Sequence, residues 1–343
     1  QPRVREAAEA QPLDSGAAAL PPVSPANARI PASPPSSDVP HIPPERAVPR
    51  KSCVGLSAAR FADAHVRARE PVVLTDMLSP WLDDDLAREM SDLRWWSDPA
   101  TCGNCLVPVE MGVSLRYGAA GGGANGAERI MRVAELARFM AQSNASSASD
   151  ADDAPGGGAD GNGGARPQDQ RDQGSSGGED DVEGGHARAK DDPPAGLQVA
   201  YMSQHRLLHH APALRERFEV PPYALGRVGS MNVWLGTRGT VTPLHTDEAQ
   251  NLLSQLAGAK YVRLYSPRAR AAMYPFRSAG NEAANEYSEV RCESPDANRH
   301  PLFLAEEGFK EVVLLPGETL FIPKGWWHYV RALTTAASMN TWW

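Results

Sequence analysis

The sequence predicts a mainly β fold with flanking helices, built around a small antiparallel barrel. Two stretches of the chain support this prediction. Residues 234–260 alternate short apolar runs with turn residues and contain His245 and Asp247. Residues 314–328 contain two short apolar runs joined by a Pro-Gly turn and end on His328. Short strands separated by such turn signals are typical of small antiparallel barrels.

The spacing of His245 and Asp247 indicates a metal site. In extended backbone, side chains two residues apart lie on the same side, so an imidazole and a carboxylate can face one ion. We expect His328 to be the third ligand. Two histidines and one carboxylate leave positions open on Fe(II) for a cosubstrate and O₂. A His-X-Asp pair alone also occurs on ordinary surfaces, so the prediction depends on the strands around it.

The composition limits the classes of function. The chain has 343 residues, of which 41% are hydrophobic and 22% charged, with a net charge of −8. The acidic charge argues against nucleic-acid binding through a broad basic face and permits a basic protein substrate. No run approaches the ~20 apolar residues of a membrane span, and no secretory signal is visible. We therefore expect no membrane partner.

The chain has four cysteines, at positions 53, 102, 105 and 292. They are too few and too scattered for a disulfide framework, so a reducing compartment, nuclear or cytoplasmic, fits best. Cys102 and Cys105 form a single Cys-X-X-Cys motif, and a structural zinc site needs a second pair. Free thiols are the favoured interpretation, with a zinc or redox role as the alternative.

Composition divides the chain into four parts. Residues 1–50 are rich in Pro and Ala and predict a disordered tail. Residues 51–141 predict helices and short strands. Residues 142–196 read as a disordered insertion, because Gly, Asp and Ser cannot form a core. Residues 197–343 contain the predicted barrel strands.

Helices and strands alternate in the first ordered part. Ser57 is the expected cap of a first helix, and residues 71–75 predict a strand. Apolar residues at helical spacing predict a helix over residues 82–93, with aspartates at its start, where the helix dipole favours negative charge. Residues 106–110 predict a strand, and residues 133–140 predict an amphipathic helix.

The second ordered part is predicted to be mainly strands. Residues 197–205 predict a strand that passes into a helix, and residues 230–235 predict the strand entering the metal-site stretch. Residues 251–256 and 260–265 predict a hairpin around an Ala-Gly turn. Residues 336–343 predict the closing strand.

Six longer motifs occur in order along the chain: Asn232-Val-Trp-Leu-Gly-Thr, Thr242-Pro-Leu-His-Thr-Asp, Gln250-Asn-Leu, Gly258-Ala-Lys-Tyr-Val-Arg-Leu-Tyr-Ser-Pro, Pro316-Gly-Glu-Thr-Leu-Phe-Ile-Pro and Trp326-Trp-His-Tyr-Val-Arg-Ala-Leu. These motifs resemble those of JmjC-domain, cupin-type 2-oxoglutarate oxygenases, and within them the subgroup described both as arginyl hydroxylases and as lysine-specific demethylases. The clear resemblance covers residues 197–343, and a weaker one covers residues 48–140. It implies that residues 197–343 form a double-stranded β-helix (jelly-roll or cupin) core.

The resemblance also implies the cofactors and their binding residues. Fe(II) is the implied metal, held by His245, Asp247 and His328, with 2-oxoglutarate and O₂ as cosubstrates. Lys260 is implied to bind the distal carboxylate of 2-oxoglutarate. The implied hydrogen-bond donors and aromatic walls around the cosubstrate are Tyr201, Thr242, Asn251, Trp234 and Trp342. Met202 and Ser203 depart from the family's Tyr-Leu-Ala-Gln-His element.

The function implied by the resemblance is hydroxylation of a protein side chain, with arginine as the favoured substrate. Glu110 matches a family glutamate that helps to hold the substrate side chain, although an exposed strand carboxylate is an equally simple interpretation. The partner is then a protein that presents a basic side chain. Three alternatives stay open: a histone methyl-lysine demethylase, a tRNA-modifying hydroxylase, against which the acidic charge counts, and a non-catalytic cupin binding module.

Overall fold

The computed structural model describes residues 22–80, 82–112, 126–152, 199–276 and 286–343. The beginning of the predicted tail and most of the predicted insertion, residues 153–196, lie outside these ranges. The strands are β1 (Arg50–Lys51), β2 (Val72–Leu74), β3 (Leu106–Gly112), β4 (Gly126–Arg132), β5 (Val199–His205), β6 (Ser230–Gly236), β7 (Val241–Thr246), β8 (Asn251–Ala257), β9 (Lys260–Tyr265), β10 (Phe309–Leu314), β11 (Thr319–Ile322), β12 (Trp327–Ala332) and β13 (Ala336–Trp342). The α-helices are α1 (Ala58–Phe61), α2 (Asp84–Met90), α3 (Leu93–Ser97), α4 (Val133–Asp152), α5 (Leu207–His210), α6 (Pro212–Arg215) and α7 (Pro301–Leu304), and α1 continues into a π-helix over Ala62–Arg67.

The strands form two sheets. The larger has the order β1-β2-β11-β8-β13-β6-β5-β3-β4, and the smaller has the order β10-β9-β12-β7. From β6 to β13, the chain crosses from one sheet to the other and back: β6 and β8 lie in the larger sheet, β7 and β9 in the smaller. This alternation is that of a jelly roll, so the predicted cupin-like core is confirmed.

The hairpin predicted for residues 251–256 and 260–265 is wrong. Strand β8 pairs with β11 and β13, whereas β9 pairs with β10 and β12. The turn between them changes sheets. Gly258 has φ +73°, and a Cβ there would lie 2.1 Å from the carbonyl oxygen of Thr335. Only glycine fits this close approach, and the Ala259 amide donates to Thr334 Oγ1 (2.9 Å), which holds the turn in place.

The helix predicted over residues 82–93 is two helices. Asp83 Oδ1 accepts from the Leu86 amide (2.7 Å) and begins α2 as expected. Asp92 Oδ1 then accepts from the Arg94 amide (2.9 Å) and begins α3. Aspartate competes for nearby backbone amides and is favoured at helix starts, so the chain ends one helix and begins another at Asp92.

Helix α4 crosses the predicted boundary of the insertion. Val133, Leu136 and Met140 are buried, as the helical spacing predicts, but the helix continues to Asp152. Past residue 141, Asn144 Oδ1 accepts from Thr335 Oγ1 (2.5 Å), close to the sheet-changing turn. The start of the predicted insertion therefore belongs to the folded part.

The disordered tail predicted for residues 1–50 is wrong for residues 22–50. Four apolar side chains of this stretch are buried: Val23, Ala28, Ile30 and Val48. The Val48 amide donates to the Glu311 carbonyl (3.0 Å), and the Glu311 amide donates to the Arg46 carbonyl (2.8 Å). These bonds pair residues 46–48 with the edge of β10 that does not face β9. The sequence did not predict this burial, because the apolar residues lie among many prolines and recur with neither helical nor strand spacing.

Candidate metal centre

Two strands of the smaller sheet bring the histidines together. His245 lies near the end of β7, and His328 lies at the start of β12, directly opposite in the antiparallel register. Opposite residues in such a pair have Cβ atoms about 4.5–5.5 Å apart. Asp247 follows β7 by one residue, where the Gly325 amide donates to its carbonyl (2.9 Å). The three predicted ligands therefore converge at one end of this sheet.

The three side chains enclose a space of the right size for one ion. One potential ligand atom from each residue lies within 4.8 Å of the others. Asp247 Oδ1 is 3.9 Å from His245 Nε2, and Asp247 Oδ2 is 3.6 Å from His328 Nε2. These distances are too long for hydrogen bonds. They suit ligands that each lie about 2.0–2.2 Å from a shared metal.

Backbone carbonyls set the tautomer of both histidines. His245 Nδ1 lies 2.7 Å from the Pro243 carbonyl oxygen, and His328 Nδ1 lies 3.0 Å from the Trp326 carbonyl oxygen. A carbonyl can only accept, so each Nδ1 carries the hydrogen and donates it. The lone pair is left on Nε2, the atom that faces the shared space. Such bonds orient histidine ligands in metal sites.

The electrostatics of the site favour a cation. Burial lowers the pKa of His328 well below its usual value, which keeps its imidazole neutral. Burial also raises the pKa of Asp247, whose Oδ2 has no hydrogen-bond partner among the described residues. A buried carboxylate without a partner is costly. The donor set of two imidazoles and one carboxylate fits Fe(II).

All residues predicted to bind metal or cosubstrate line one pocket. They are Tyr201, Trp234, Thr242, His245, Asp247, Asn251, Lys260, His328 and Trp342. They come from seven strands of both sheets and from the residue after β7, so the two layers of the barrel meet around this pocket. The structure thus brings the predicted set together, and the individual roles stay predictions.

Lys260 is the residue in the pocket that most needs a ligand. It is 3% exposed, and no carboxylate in the described ranges pairs with it. Burial lowers the pKa of its ammonium group to about 7. The Nζ atom lies 5.7 Å from the ring centre of Tyr201, and the Tyr201 hydroxyl contacts Thr242 Oγ1 (3.3 Å). A buried ammonium with neighbouring hydroxyls suits an anionic ligand group.

The aromatic wall of the pocket depends on a glycine. Tyr201 on β5 lies opposite Gly236 on β6, and a Cβ at Gly236 would be 2.6 Å from the Tyr201 ring. The missing side chain makes room for the ring. The ring of Trp234 packs against that of Tyr201, with ring centres 5.8 Å apart, and its Nε1 donates to Asn340 Oδ1 (2.8 Å). Trp342 Nε1, in contrast, has no hydrogen-bond partner within the described part of the chain.

Glu110 lies beside the pocket and is not one of its lining residues. It is on β3, opposite Tyr201 of β5 and opposite Glu128 of β4. Ser203 Oγ donates to Glu110 Oε1 (2.8 Å). Burial raises the pKa of Glu110, and the charge of Glu128 raises it further, against the opposing effect of the Ser203 bond.

Sequence reasoning missed several pocket residues: Gln204, Glu286, Tyr287 and Asn340. Gln204 has φ +45°, unusual for a residue with a side chain, at a register shift between β5 and β6. Its place in the Gln-His part of the family-like element could have signalled it. Glu286 and Tyr287 follow an irregular loop, and no pattern in the sequence predicted them.

The Cys-X-X-Cys thiols lie apart from the metal centre. Cys102 Sγ donates to the Trp96 carbonyl, and Cys105 Sγ donates to the His210 carbonyl, each at 3.5 Å. Burial raises the pKa of both thiols. Thiols with raised pKa values are poor nucleophiles and poor metal ligands at neutral pH.

The fold and the site define a cupin-type protein in which two histidines and one carboxylate form a group that could hold a metal ion. The chain belongs to the Cupin-like domain family, whose family model matches residues 58–343. The resemblance to JmjC-domain proteins is confirmed by the relatives that follow.

Three similar proteins illustrate the relationship. Lysine-specific demethylase 8 of Xenopus tropicalis is 41% identical over 150 residues, which cover 42% of this chain and 33% of that protein. Lysine-specific demethylase JMJ30 of Arabidopsis thaliana is 37% identical over 150 residues, which cover 43% of this chain and 34% of that protein. Jumonji C domain-containing protein 5 of Drosophila melanogaster is 34% identical over 160 residues, which cover 45% of this chain and 39% of that protein. The match thus spans only about a third to two fifths of the length of these relatives.

Proposed function

We propose that this chain is an Fe(II)- and 2-oxoglutarate-dependent dioxygenase that hydroxylates a protein side chain. The observation that carries the proposal is the buried Lys260, which has no counter-ion among the described residues and shares one pocket with the converged His245, Asp247 and His328. A metal alone would not require this lysine. A metal together with a dicarboxylate does require a second cationic group.

Each pocket residue has a role in this proposal. His245 and His328 hold the metal through Nε2, and Asp247 holds it through its carboxylate. Lys260 binds the far carboxylate of 2-oxoglutarate, helped by the Tyr201 and Thr242 hydroxyls, which lie 3.3 Å apart. When bound, iron with 2-oxoglutarate and O₂ supplies the oxidising power for C–H hydroxylation.

The remaining residues position the cosubstrate and limit access of water to it. Trp342 offers a buried Nε1 donor without a partner in the described ranges, whereas the unpartnered Oδ1 of Asn251 can only accept. Buried polar atoms are rarely left unpaired, so Trp342 Nε1 is available to an anionic ligand. The rings of Trp234 and Trp342 form apolar walls that exclude water.

Arginine is the substrate side chain that we favour. Glu110 and Glu128 lie directly opposite each other on β3 and β4, next to Tyr201 of the pocket. Like charges in this position destabilise a sheet. A cationic side chain bound at this pair would offset the repulsion. A guanidinium group suits it well, because it is always charged and offers five donors in a fixed planar arrangement.

Demethylation of methyl-lysine is the second candidate, and the names of relatives favour it. Two of the relatives above are named lysine-specific demethylases. The same hydroxylation, directed at an N-methyl carbon, gives a hemiaminal whose C–N bond breaks, so that the carbon leaves as formaldehyde and the amine keeps a proton. The metal centre and the cosubstrate site would be unchanged, and the difference would lie only in how the cation is presented.

Mass spectrometry distinguishes these candidates. Extract proteins are incubated with the full chain, Fe(II) and 2-oxoglutarate, and with the Asp247→Ala variant as the control. Gain of one oxygen on arginine supports the arginine proposal, and loss of a methyl group from lysine supports demethylation. Binding of Fe(II) and 2-oxoglutarate with no succinate formed, and no protein modified, would favour the non-catalytic cupin module.

The proposed partner is a protein in the nucleus or cytoplasm that presents a basic side chain. The net charge of −8 supports a basic protein partner over a nucleic acid. In the part of the chain that the structure describes, no helix combines the length and the apolar character that crossing a membrane requires.

A further inference from the structure

The imidazole of His245 lies between two other rings. On one side is His328, with ring centres 4.0 Å apart and planes at 52°. On the other side is Tyr287, with ring centres 5.4 Å apart and planes at 16°. A nearly parallel stack at this distance is a favourable aromatic contact.

Tyr287 belongs to a segment that covers the open edge of β7. We call residues 286–293 the edge segment. In the described part of the smaller sheet, β7 pairs with β12 along one edge only. On its other edge, Tyr287 forms a β-bridge with His245, and the Ser288 amide donates to the Leu244 carbonyl (2.8 Å). The edge segment therefore follows the strand that carries His245.

Hydrogen bonds hold the edge segment near its start and at its end. Ser288 is buried, and its Oγ donates to the Met273 carbonyl (2.5 Å) and accepts from the Val290 amide (3.0 Å). At the far end, Glu293 Oε2 accepts from Tyr329 Oη and from Arg331 Nε, each at 2.6 Å. Tyr329 and Arg331 lie on β12, the strand that carries His328. The edge segment thus connects both ligand strands from outside.

We infer that Tyr287 is a positioning residue for the metal centre. The bond from His245 Nδ1 to the Pro243 carbonyl restrains the imidazole within its own plane. The stack on Tyr287 restrains the tilt of that plane. Together they keep Nε2 pointed at the site before a metal binds, so the imidazole loses less conformational entropy on binding. The inference rests on the proposed function, because it takes His245 as a metal ligand.

The test measures metal affinity, not turnover. Mn(II) and Co(II) are titrated into the metal-free full chain, first the wild type and then Tyr287→Leu, Tyr287→Phe and Tyr274→Leu. Tyr274 is the matched control: its ring packs edge-on against His300 at 5.0 Å, near the edge segment but away from the ligands. Thermal unfolding of each metal-free variant reports on the fold, and the Co(II) absorption spectrum reports on ligand geometry.

We expect Tyr287→Leu to weaken Mn(II) binding about three- to tenfold and to change the Co(II) spectrum. Tyr287→Phe keeps the stack and should restore both, while Tyr274→Leu should leave both unchanged. Wild-type affinity in Tyr287→Leu overturns the inference, and so does an equal loss in Tyr274→Leu, which would mean general destabilisation. If Tyr287→Leu does not fold, Tyr287→Met replaces it. Failure of the wild type to bind either metal contradicts the proposed function instead.

Discussion

His245 and His328 are cross-strand partners whose ring centres lie 4.0 Å apart. Each ring donates from Nδ1 to the carbonyl two residues earlier in the chain, at Pro243 and Trp326 respectively. The same local arrangement, repeated on two antiparallel strands, turns both Nε2 lone pairs toward one space. Asp247 adds the carboxylate, and the resulting group can hold a metal.

Asp247→Ala should abolish 2-oxoglutarate turnover while the fold survives. The substitution removes a metal ligand, so we expect a loss of metal affinity of at least about 100-fold. It also removes a buried carboxylate oxygen without a partner, so the metal-free protein should be as stable as the wild type or more stable. Succinate release and thermal unfolding are measured together. Glu248→Gln, the same loss of charge at the exposed neighbouring residue, is the control.

The affinity for 2-oxoglutarate should fall as the pH rises above neutrality. Burial lowers the pKa of Lys260 to about 7, so the free protein loses the ammonium proton near that pH. Binding of the carboxylate favours the charged form, so it should take up about one proton above pH 7. The dissociation constant should rise roughly tenfold per pH unit above about pH 8. Calorimetry in buffers of different ionisation enthalpy measures the uptake, and a pH-independent affinity would contradict it.

Lys260→Met should have opposite effects on binding and on stability. Without the ammonium, 2-oxoglutarate affinity should fall about 100-fold. In the wild type, the unfolded lysine titrates near 10.4 and the folded one near 7, so the unfolded state binds more protons between these values. The free energy of unfolding therefore gains a contribution that rises with pH over this interval. The variant should lack that rise and be more stable at pH 7, as urea unfolding at several pH values would show.

The sequence was sufficient to predict that His245, Asp247 and His328 converge, because their spacing and their strands are local features. His245 and Asp247 are two residues apart, and His328 follows a turn that its Pro-Gly and Lys-Gly pairs already indicate. The pairing of strands was not local. The Ala-Gly pair at residues 257–258 suggested a hairpin, but the contact of Gly258 with Thr335 decides that the chain changes sheets there.

The missed residues share a different cause. Tyr287 reaches the pocket because its segment is anchored at Ser288 and Glu293, which bond to residues distant in sequence. Val23 and Ile30 are buried without any period, since the stretch that carries them runs across the core rather than along a helix or strand. Side chains placed by long-range contacts of irregular backbone leave no pattern that a single sequence reveals.

Glu110→Gln should separate cosubstrate turnover from substrate turnover. The metal ligands and Lys260 line the pocket, whereas Glu110 lies beside it, so decarboxylation of 2-oxoglutarate without substrate should persist. Loss of a charge-assisted contact worth about 1.5–3 kcal/mol should weaken binding of an arginine peptide about ten- to a hundredfold. Both activities are measured on one preparation, with Glu219→Gln, at an exposed site, as the control. If both activities fall together, Glu110 is structural; if neither falls, other residues hold the substrate.

Removal of the predicted insertion should be tolerated only when helix α4 is spared. Deleting residues 153–194 with a short Gly/Ser splice removes a stretch whose composition cannot form a core, and turnover should be unchanged. Deleting residues 143–194 also removes buried Ser143 and the bond between Asn144 and Thr335. We expect this longer deletion to lower the unfolding temperature. Equal unfolding temperatures for the two deletions would show that the end of α4 contributes nothing to stability.

The stretch before the family match should be required for stability. Removing residues 1–57 leaves the part that the family model matches, but it takes away the buried side chains of Val23, Ile30 and Val48. It also exposes the edge of β10, where Glu311 pairs with the backbone of residues 46–48. At roughly 1–2 kcal/mol for each of these three buried side chains, we expect a loss of about 3–6 kcal/mol and a fall in unfolding temperature on the order of 10 °C. Removing only residues 1–21 is the matched control and should change neither. Because an unpaired edge strand also promotes association between chains, light scattering should show the longer truncation to aggregate at concentrations where the shorter one stays dispersed.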